Sequence, residues 1–513
     1  MRDKEHVNIR WGMILSYLGL VVSVLGTLLT TNRVLEYIGD YNYGLYSFVG
    51  SVTSWLTIVT AALNASFVRF SAIEANEKNG DTSNTNTVYL KLFLIFDAVI
   101  LCSSAAVLLC LYLQKIRIGQ YSWEDSRCLY ELFALSVLNI VITIPTTIYS
   151  LYITFKKEFI FARILAIGVS VMNYVGHLVL AYFTRSVISI AVFTVAITVV
   201  SAVFNYVFCH DHLDFRLGKV LLRDNRQKIK AIILFSGIIV FNTIVDQINS
   251  NVDKTILGFM KMPEAVTVYQ LGYSFVAYLI SMSVAISGVY VPTVNELVVQ
   301  NKDDAVNALY LKVSKLQLLV MSLVAFAFVA CGKDFVLWWV GPNRIDAYYV
   351  GAILMVLNIC PLSINASIEI QRARNKHLFR AIVYFVFALL NVILSILFMG
   401  LFEGKNKIYG CVIGTVIATV GSHWVSMNLF NKIKMKLPVG RYFSEMGKVS
   451  AAGILGVAAT YIVKSRALMT VDSYLLRFFI EGGIFVFVYG MIVALWNRKA
   501  VAAYLRRRSK NAD

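Results

Sequence analysis

Charge is what this chain has little of. Of its 513 residues only 15% are Asp, Glu, Lys or Arg, while 58% are hydrophobic. An ordinary soluble chain is about 25% charged, so a string of soluble domains, which the length alone would suggest, is excluded. Proline is scarce too, at 6 residues, and with so apolar a composition neither a collagen-like nor a disordered chain is tenable. The seven cysteines (Cys102, Cys110, Cys128, Cys209, Cys331, Cys360 and Cys411) are scattered, mostly inside apolar stretches, and none forms a C-x-x-C pair. A disulfide framework or cysteine metal site is therefore not expected. Catalytic signatures are missing as well: there is no G-x-x-x-x-G-K-[ST], H-E-x-x-H, G-x-S-x-G or D-x-D. Asp211 and Asp214 flank His212 but read as a solvated hairpin beside a basic stretch. No cofactor is expected, and the chain is not read as an enzyme.

What is present is a succession of apolar runs, each near the roughly 20 residues that span a bilayer core of about 30 Å. Fourteen are legible: 11–31, 44–67, 88–113, 129–152, 162–183, 186–208, 229–250, 265–290, 316–337, 347–370, 378–401, 409–431, 446–463 and 475–496. The first has no small-residue cleavage site and reads as a retained span. The net charge of +18 is spread between the runs, so anionic lipid is the expected partner and nucleic acid is not. With the N-terminus inside, the inner segments hold 33 of the 47 Lys and Arg. That bias puts both termini in the cytoplasm; loop 114–127, with Lys115, Arg117 and Arg127, runs against it.

The two halves resemble each other. Tyr46 and Ala62-Leu-Asn-Ala-Ser-Phe67-Val68-Arg69 recur 223 residues later as Tyr269 and Ala285-Ile-Ser-Gly-Val-Tyr290-Val291-Pro292. Pro145, Phe161, Arg163 and Asn173 recur as Pro361, Phe379, Arg380 and Asn391. Each match moves six spans along the chain, so matched helices point the same way. The expected fold is an all-α polytopic membrane protein with about fourteen spans. It has two six-helix lobes, 1–213 and 214–440, related by a parallel pseudo-two-fold repeat. Residues 441–513 add spans 13 and 14 and a basic cytoplasmic tail. Such repeats build transporters that open a central cavity to alternate sides.

Ionisable groups inside a membrane are costly and mark cavities or transport paths. Asp97 lies deep in span three and Asp246 near the outer end of span seven; both are candidates for coupling to an ion. Glu481 falls outside the lobes and is not assigned to the path. His177 and His423 read as packed side chains rather than ligands. At the inner helix ends stand Arg69, Arg163, Lys315, Arg372, Arg374 and Arg380, a cationic set suited to an anionic, phosphate-bearing cargo. Gly410-Cys-Val-Ile-Gly414 gives span twelve a small-residue face for close packing.

Arg33-x-x-x-x-Ile38-Gly39, Tyr43-Gly-Leu-Tyr46 and Ala65-Ser-Phe-Val-Arg69-Phe resemble the start of bacterial polysaccharide exporters. These are the O-antigen and teichoic-acid type flippases of the multidrug/oligosaccharidyl-lipid/polysaccharide (MOP) superfamily. Asn251-Val-Asp253-Lys-Thr-Ile-Leu-Gly258 and Ala373-x-Asn375-Lys-His377-x-x-Arg380 are similar to the family's second half. Arg69 matches its basic position ending helix two, whereas spans one, seven and eight carry no central Arg or Lys. The resemblance implies a bacterial inner-membrane protein. It would move an undecaprenyl-pyrophosphate-linked oligosaccharide from the inner to the outer leaflet, with polysaccharide assembly machinery as a partner. A cation or drug antiporter of the same superfamily, and a non-transporting glycan polymerase or scaffold, are the alternatives.

Overall fold

The structure, a computed structural model, describes Arg2–Arg498 except residues 78–79, 115–116, 119–120, 220–221, 375, 377, 469–470 and 497. Lys115, Asn375, His377 and the tail beyond Arg498 thus lie outside the described residues. The α-helices are, in order, α1 (Arg2–Thr53), α2 (Ile58–Glu77), α3 (Ser83–Leu113), α4 (Trp123–Phe155), α5 (Phe159–Thr184), α6 (Val187–His212), α7 (Arg226–Phe259) and α8 (Pro263–Val299). They continue with α9 (Asp303–Val340), α10 (Asp346–Ser363), α11 (Asn365–Ala373), α12 (Leu378–Met399), α13 (Lys407–Thr419), α14 (Asn428–Ile433), α15 (Val439–Val463) and α16 (Tyr474–Trp496). No strand occurs among the described residues.

Among the described residues, thirteen helical runs are long and apolar enough to cross a membrane. The first, Ile14–Glu77, contains two of the expected spans, 11–31 and 44–67. The chain turns there at Gly39, whose φ of 80° and ψ of 157° suit a residue without Cβ, and resumes helix directly. The chain is a multi-pass, all-α membrane protein.

The helices gather into two compact units, Met1–Thr267 and Val268–Asp513. In the first, α1 packs along α5, α4 along α3 and α6, and α7 along α1 and α2. Glycines set the α1–α5 distance. Gly12, Gly19 and Gly26 recur every seven residues, where added Cβ atoms would lie 2.5, 3.4 and 2.3 Å from Phe159, Ile167 and Tyr174 of α5. Small residues at that spacing let backbones approach where lipid offers no hydrophobic drive between helices.

In the second unit α9 is the hub, packing against α10, α15 and α16, while α12 pairs with α13. Its buried positions Tyr310, Val313, Ser314, Gln317, Leu318, Met321, Ser322 and Ala325 alternate by three and four residues, the spacing of one helix face. On α13, Gly410 and Gly414 press against Met399 and Ser395 of α12.

Pro145 and Pro361 both sit inside helices, α4 and α10. A helical proline deprives the carbonyl four residues earlier of its donor. For Pro361 that carbonyl belongs to Leu357, and the Trp424 Nε1 donates to it at 3.0 Å. Trp424 lies in a π-helical stretch, Val420–Met427, which continues α13. Below the proline, Ser283 Oγ donates to the Leu362 carbonyl at 2.7 Å, and Asn365 Nδ2 donates to Ser283 Oγ at 2.7 Å. The break between α10 and α11 is thereby satisfied by side chains of the same unit.

A charged cluster ties α15 and α16 to α9. Lys464, at the end of α15, bridges Asp334 of α9 and Glu481 of α16, lying 2.9 Å from the latter. Arg477 approaches Asp334 at 4.0 Å. Glu481 is fully buried. Removing one member of a buried ion pair strands the other, typically at a cost of about 3–5 kcal/mol. Lys464→Met is therefore expected to lower the detergent melting temperature much more than Lys405→Met, a change at an exposed site. Trp424→Phe, which keeps the ring and removes the donor, is expected to cost about 1–3 kcal/mol as the Leu357 carbonyl loses its partner. Chemical denaturation of the two variants checks both values.

Candidate functional site

Of the basic residues singled out in the sequence, Arg163, Arg372, Arg374 and Arg380 lie near helix ends. By contrast, α2 continues eight residues past Arg69 and α9 begins twelve residues before Lys315, because both helices run beyond their apolar stretches. Each unit is described by itself. In the first, α2 ends, α3 begins and α7 begins at one place. Thr82, at the N-cap of α3, gives no side-chain cap. The cap comes instead from Glu74 of α2, which accepts a hydrogen bond from Thr85 N at 2.6 Å and another from the Thr85 hydroxyl. A carboxylate is well placed there because a helix N-terminus presents unsatisfied N–H groups and partial positive charge. Lys228 of α7 completes the arrangement, 3.0 Å from Glu74 and 2.6 Å from the Thr85 hydroxyl. The segment between α6 and α7 is stitched to the same helix end. Asn86 Nδ2 donates to the Arg216 carbonyl at 3.2 Å, and Gly218 N donates to Thr87 Oγ1 at 2.8 Å. One layer further in, Ser66 shares a hydrogen bond of 2.7 Å with Tyr89 OH, and Ser236 of α7 donates to Ser66 at 3.1 Å. Nothing in sequence spacing joins Glu74 to Lys228; a Glu just beyond an apolar run is the one hint.

Arg69 stands beside this network with its guanidinium 4.5 Å from the Phe235 ring centre, a cation–π contact to α7. Arg163 is exposed on α5 and makes no ion pair among the described residues. Just before it, Phe161 stacks on Phe208 of α6 at 3.7 Å with the rings 7° apart. Asp97 is buried on α3, its Oδ1 without a hydrogen-bond partner among the described residues, and Asp246 is exposed on α7.

The second unit repeats part of this. Phe379, which the sequence aligns with Phe161, stacks on Phe430 at 4.4 Å with the rings 11° apart. Arg380, aligned with Arg163, is drawn inward over Tyr384 at 5.6 Å, and Tyr384 in turn stacks on His423 at 4.1 Å. His423 also hydrogen-bonds Ser422 at 2.8 Å, and His177 of the first unit meets Thr194 at 3.0 Å, so both histidines are packed and partnered. The remaining cations are engaged. Arg372 pairs with Glu369 at 2.8 Å. Arg374 pairs with Asp303 and donates to the Met435 carbonyl at 2.9 Å. Lys315 pairs with Glu445 of α15 at 2.8 Å. Sequence order hid Asp303 and Glu445, which lie 71 and 130 residues from their partners, but not Glu369, three residues before Arg372. Among the described residues no group of His, Cys, Asp and Glu is arranged to hold a metal ion.

Residues 8–298, including this first-unit network, match the family model described as polysaccharide biosynthesis protein. The chain belongs to that family. No curated protein sequence matches it. Among solved structures it is similar to lipid II flippase MurJ in an inward closed conformation. That match has a TM-score of 0.73 and 14% identity, and it covers 96% of this chain and 99% of that one. It is also similar to an inward-facing multidrug resistance MATE family transporter of the MOP superfamily, with TM-score 0.61, 14% identity and coverage of 81% and 99%. A Vibrio cholerae MATE transporter matches with TM-score 0.52, 12% identity and coverage of 86% and 100%. At these identities the likeness shows the fold, which is that of MOP-superfamily transporters.

The Glu74 site carries its own test. Glu74→Ala removes the cap of α3 and strands Lys228, with an expected loss of about 2–4 kcal/mol. Glu74→Ala combined with Lys228→Met is expected to cost less than the sum of the single changes, which a double-mutant cycle in detergent measures.

Proposed function

We propose that this chain is a flippase that carries an undecaprenyl-pyrophosphate-linked oligosaccharide from the inner to the outer leaflet of a bacterial inner membrane. It works by alternating access, with both termini in the cytoplasm. One observation carries the reading: a polysaccharide biosynthesis family match over 8–298 coincides with a flippase-like fold along nearly the whole chain. In this reading the lobes are 1–213 and 214–440, with 441–513 appended.

The pyrophosphate is the charged part of such a cargo, and guanidinium forks suit it. Arg163 is exposed and has no carboxylate partner among the described residues, so it is the cation with most capacity left for an anion. Arg69 and Arg380 rest on aromatic rings, a contact that leaves a guanidinium able to donate to an anion at its edge. Arg372, Arg374 and Lys315 already hold carboxylates and would contribute by exchanging them for the cargo phosphate. The glycan passes through the polar interior while the polyprenyl tail stays in lipid.

No nucleotide site is needed to drive this. A potential negative inside favours outward movement of an anion by about 2.3 kcal/mol per charge per 100 mV, or roughly 4–5 kcal/mol for a doubly charged pyrophosphate crossing the full field. Asp97, buried with one oxygen unpartnered among the described residues, is the residue for any counter-ion.

Deletion of the gene is expected to accumulate lipid-linked glycan on the cytoplasmic leaflet. Complementation with Arg163→Glu plus Arg380→Glu is expected to restore less than about a tenth of export, because each reversal replaces an attraction by a repulsion. Export at the wild-type level in that variant would remove the cationic-site argument.

A further inference from the structure

A groove runs between the first turns of α15 and the part of α9 where span nine begins. Leu311, Lys315, Leu318, Arg441, Tyr442, Ser444 and Glu445 line it, and it encloses about 270 Å³. Its composition is two-sided. Leu311 and Leu318 make an apolar floor, and Leu316 and Phe443 are exposed nearby. The rim is basic. Glu445 is shared between Lys315 at 2.8 Å and Lys448 at 2.9 Å, so one carboxylate faces two ammonium groups. Arg441 and the Ser444 hydroxyl make no side-chain hydrogen bond or ion pair among the described residues. Three cations thus stand against one carboxylate, with a guanidinium and a hydroxyl left to donate. The Tyr442 hydroxyl is turned away, bonded to Ser363 at 2.6 Å, so the ring contributes surface rather than a donor.

The level of the groove also counts. α9 is 38 residues long, or about 57 Å at 1.5 Å per residue, well over a bilayer core of about 30 Å. Lys315 immediately precedes the apolar run 316–337, where the boundary between hydrocarbon and headgroups is expected. The volume falls below the roughly 300–1,000 Å³ of clefts that engulf whole ligands. It fits a headgroup better than a lipid-linked glycan.

We propose that this α9–α15 groove binds the headgroup of an anionic phospholipid, with Arg441 and Ser444 donating to its phosphate and Lys315 and Lys448 balancing its charge. The leucine floor and exposed neighbours favour a lipid over a free anion, since an acyl chain has apolar surface to lie on. Lys315 then serves the surrounding bilayer in addition to any cargo. The site does not depend on which glycan, if any, the protein moves.

The test uses the purified full-length protein in nanodiscs containing equal amounts of phosphatidylglycerol and phosphatidylethanolamine, followed by native mass spectrometry of retained lipid. Phosphatidylglycerol is expected to be retained in preference. Arg441→Gln is expected to reduce that retention roughly tenfold, the effect of losing a charge-assisted hydrogen bond. Ser444→Leu, which fills the groove from an exposed position, should do the same, whereas Lys405→Gln should not. Equal retention of the two lipids, or unchanged retention in Arg441→Gln and Ser444→Leu, overturns the proposal. So does displacement of the lipid by millimolar inorganic phosphate, which would make the groove a free-anion pocket.

Discussion

Lipid offers no hydrogen bonds, and every backbone N–H and C=O within the bilayer must find its partner inside the protein. That single constraint explains why the described spans are helical. Around Pro361 side chains take over from the backbone. The carbonyl freed by Pro361 receives Trp424, and the end of α10 receives Ser283. The π-helical stretch 420–427 is held by Asn428, which donates to the His423 and Trp424 carbonyls at 3.1 Å. These two irregularities each engage a polar side chain at a specific place, and such side chains make the helix contacts directional. Apolar packing alone, between surfaces no more hydrophobic than their surroundings, would not do so.

Charge obeys the same constraint more severely. The buried acids Glu74, Asp334 and Glu481 are each met by a lysine from another helix. These pairs are weak evidence of net stability, because desolvation cancels much of the attraction. Their effect is specificity. Lys228 can satisfy Glu74 only if α7 lies on α2 and α3, and Lys464 can satisfy two carboxylates only if α15 and α16 lie on α9. Three arginines follow a different rule. Arg69 and Arg380 rest on aromatic rings and Arg163 is exposed.

Much of the architecture was legible in the sequence because hydrophobic length is a local property. The fourteen apolar runs correspond to thirteen helical stretches, since the turn at Gly39 bends the first stretch without interrupting it. The recurrence of Phe161 and Arg163 as Phe379 and Arg380 reappears as two stacked phenylalanine pairs with matching geometry. Partners were not legible. Nothing along the chain singled out Glu74, and Glu481 was set aside as lying outside the lobes. Lys315 and Arg374 read as members of a cationic set, and the carboxylates that pair with them, Glu445 and Asp303, lie far along the chain. Residue type can be read along the chain, but pairing depends on which helices become neighbours. The seven-residue glycine stripe of α1 was readable in principle and is explained only by the side chains of α5 that fill it.

The distance along the chain between Asp334 and Lys464 bears on biogenesis. They are 130 residues apart, which at about 5–20 residues per second is a delay of roughly 6–26 s during synthesis. Through that interval α9 has already left the ribosome with an acid that no later helix has yet neutralised. Until the last hairpin emerges, that acid must be kept in contact with water or with the insertion machinery. Completion of the fold is therefore tied to the final stretch of translation, and truncation before Lys464 would leave a chain with an acid stranded in α9.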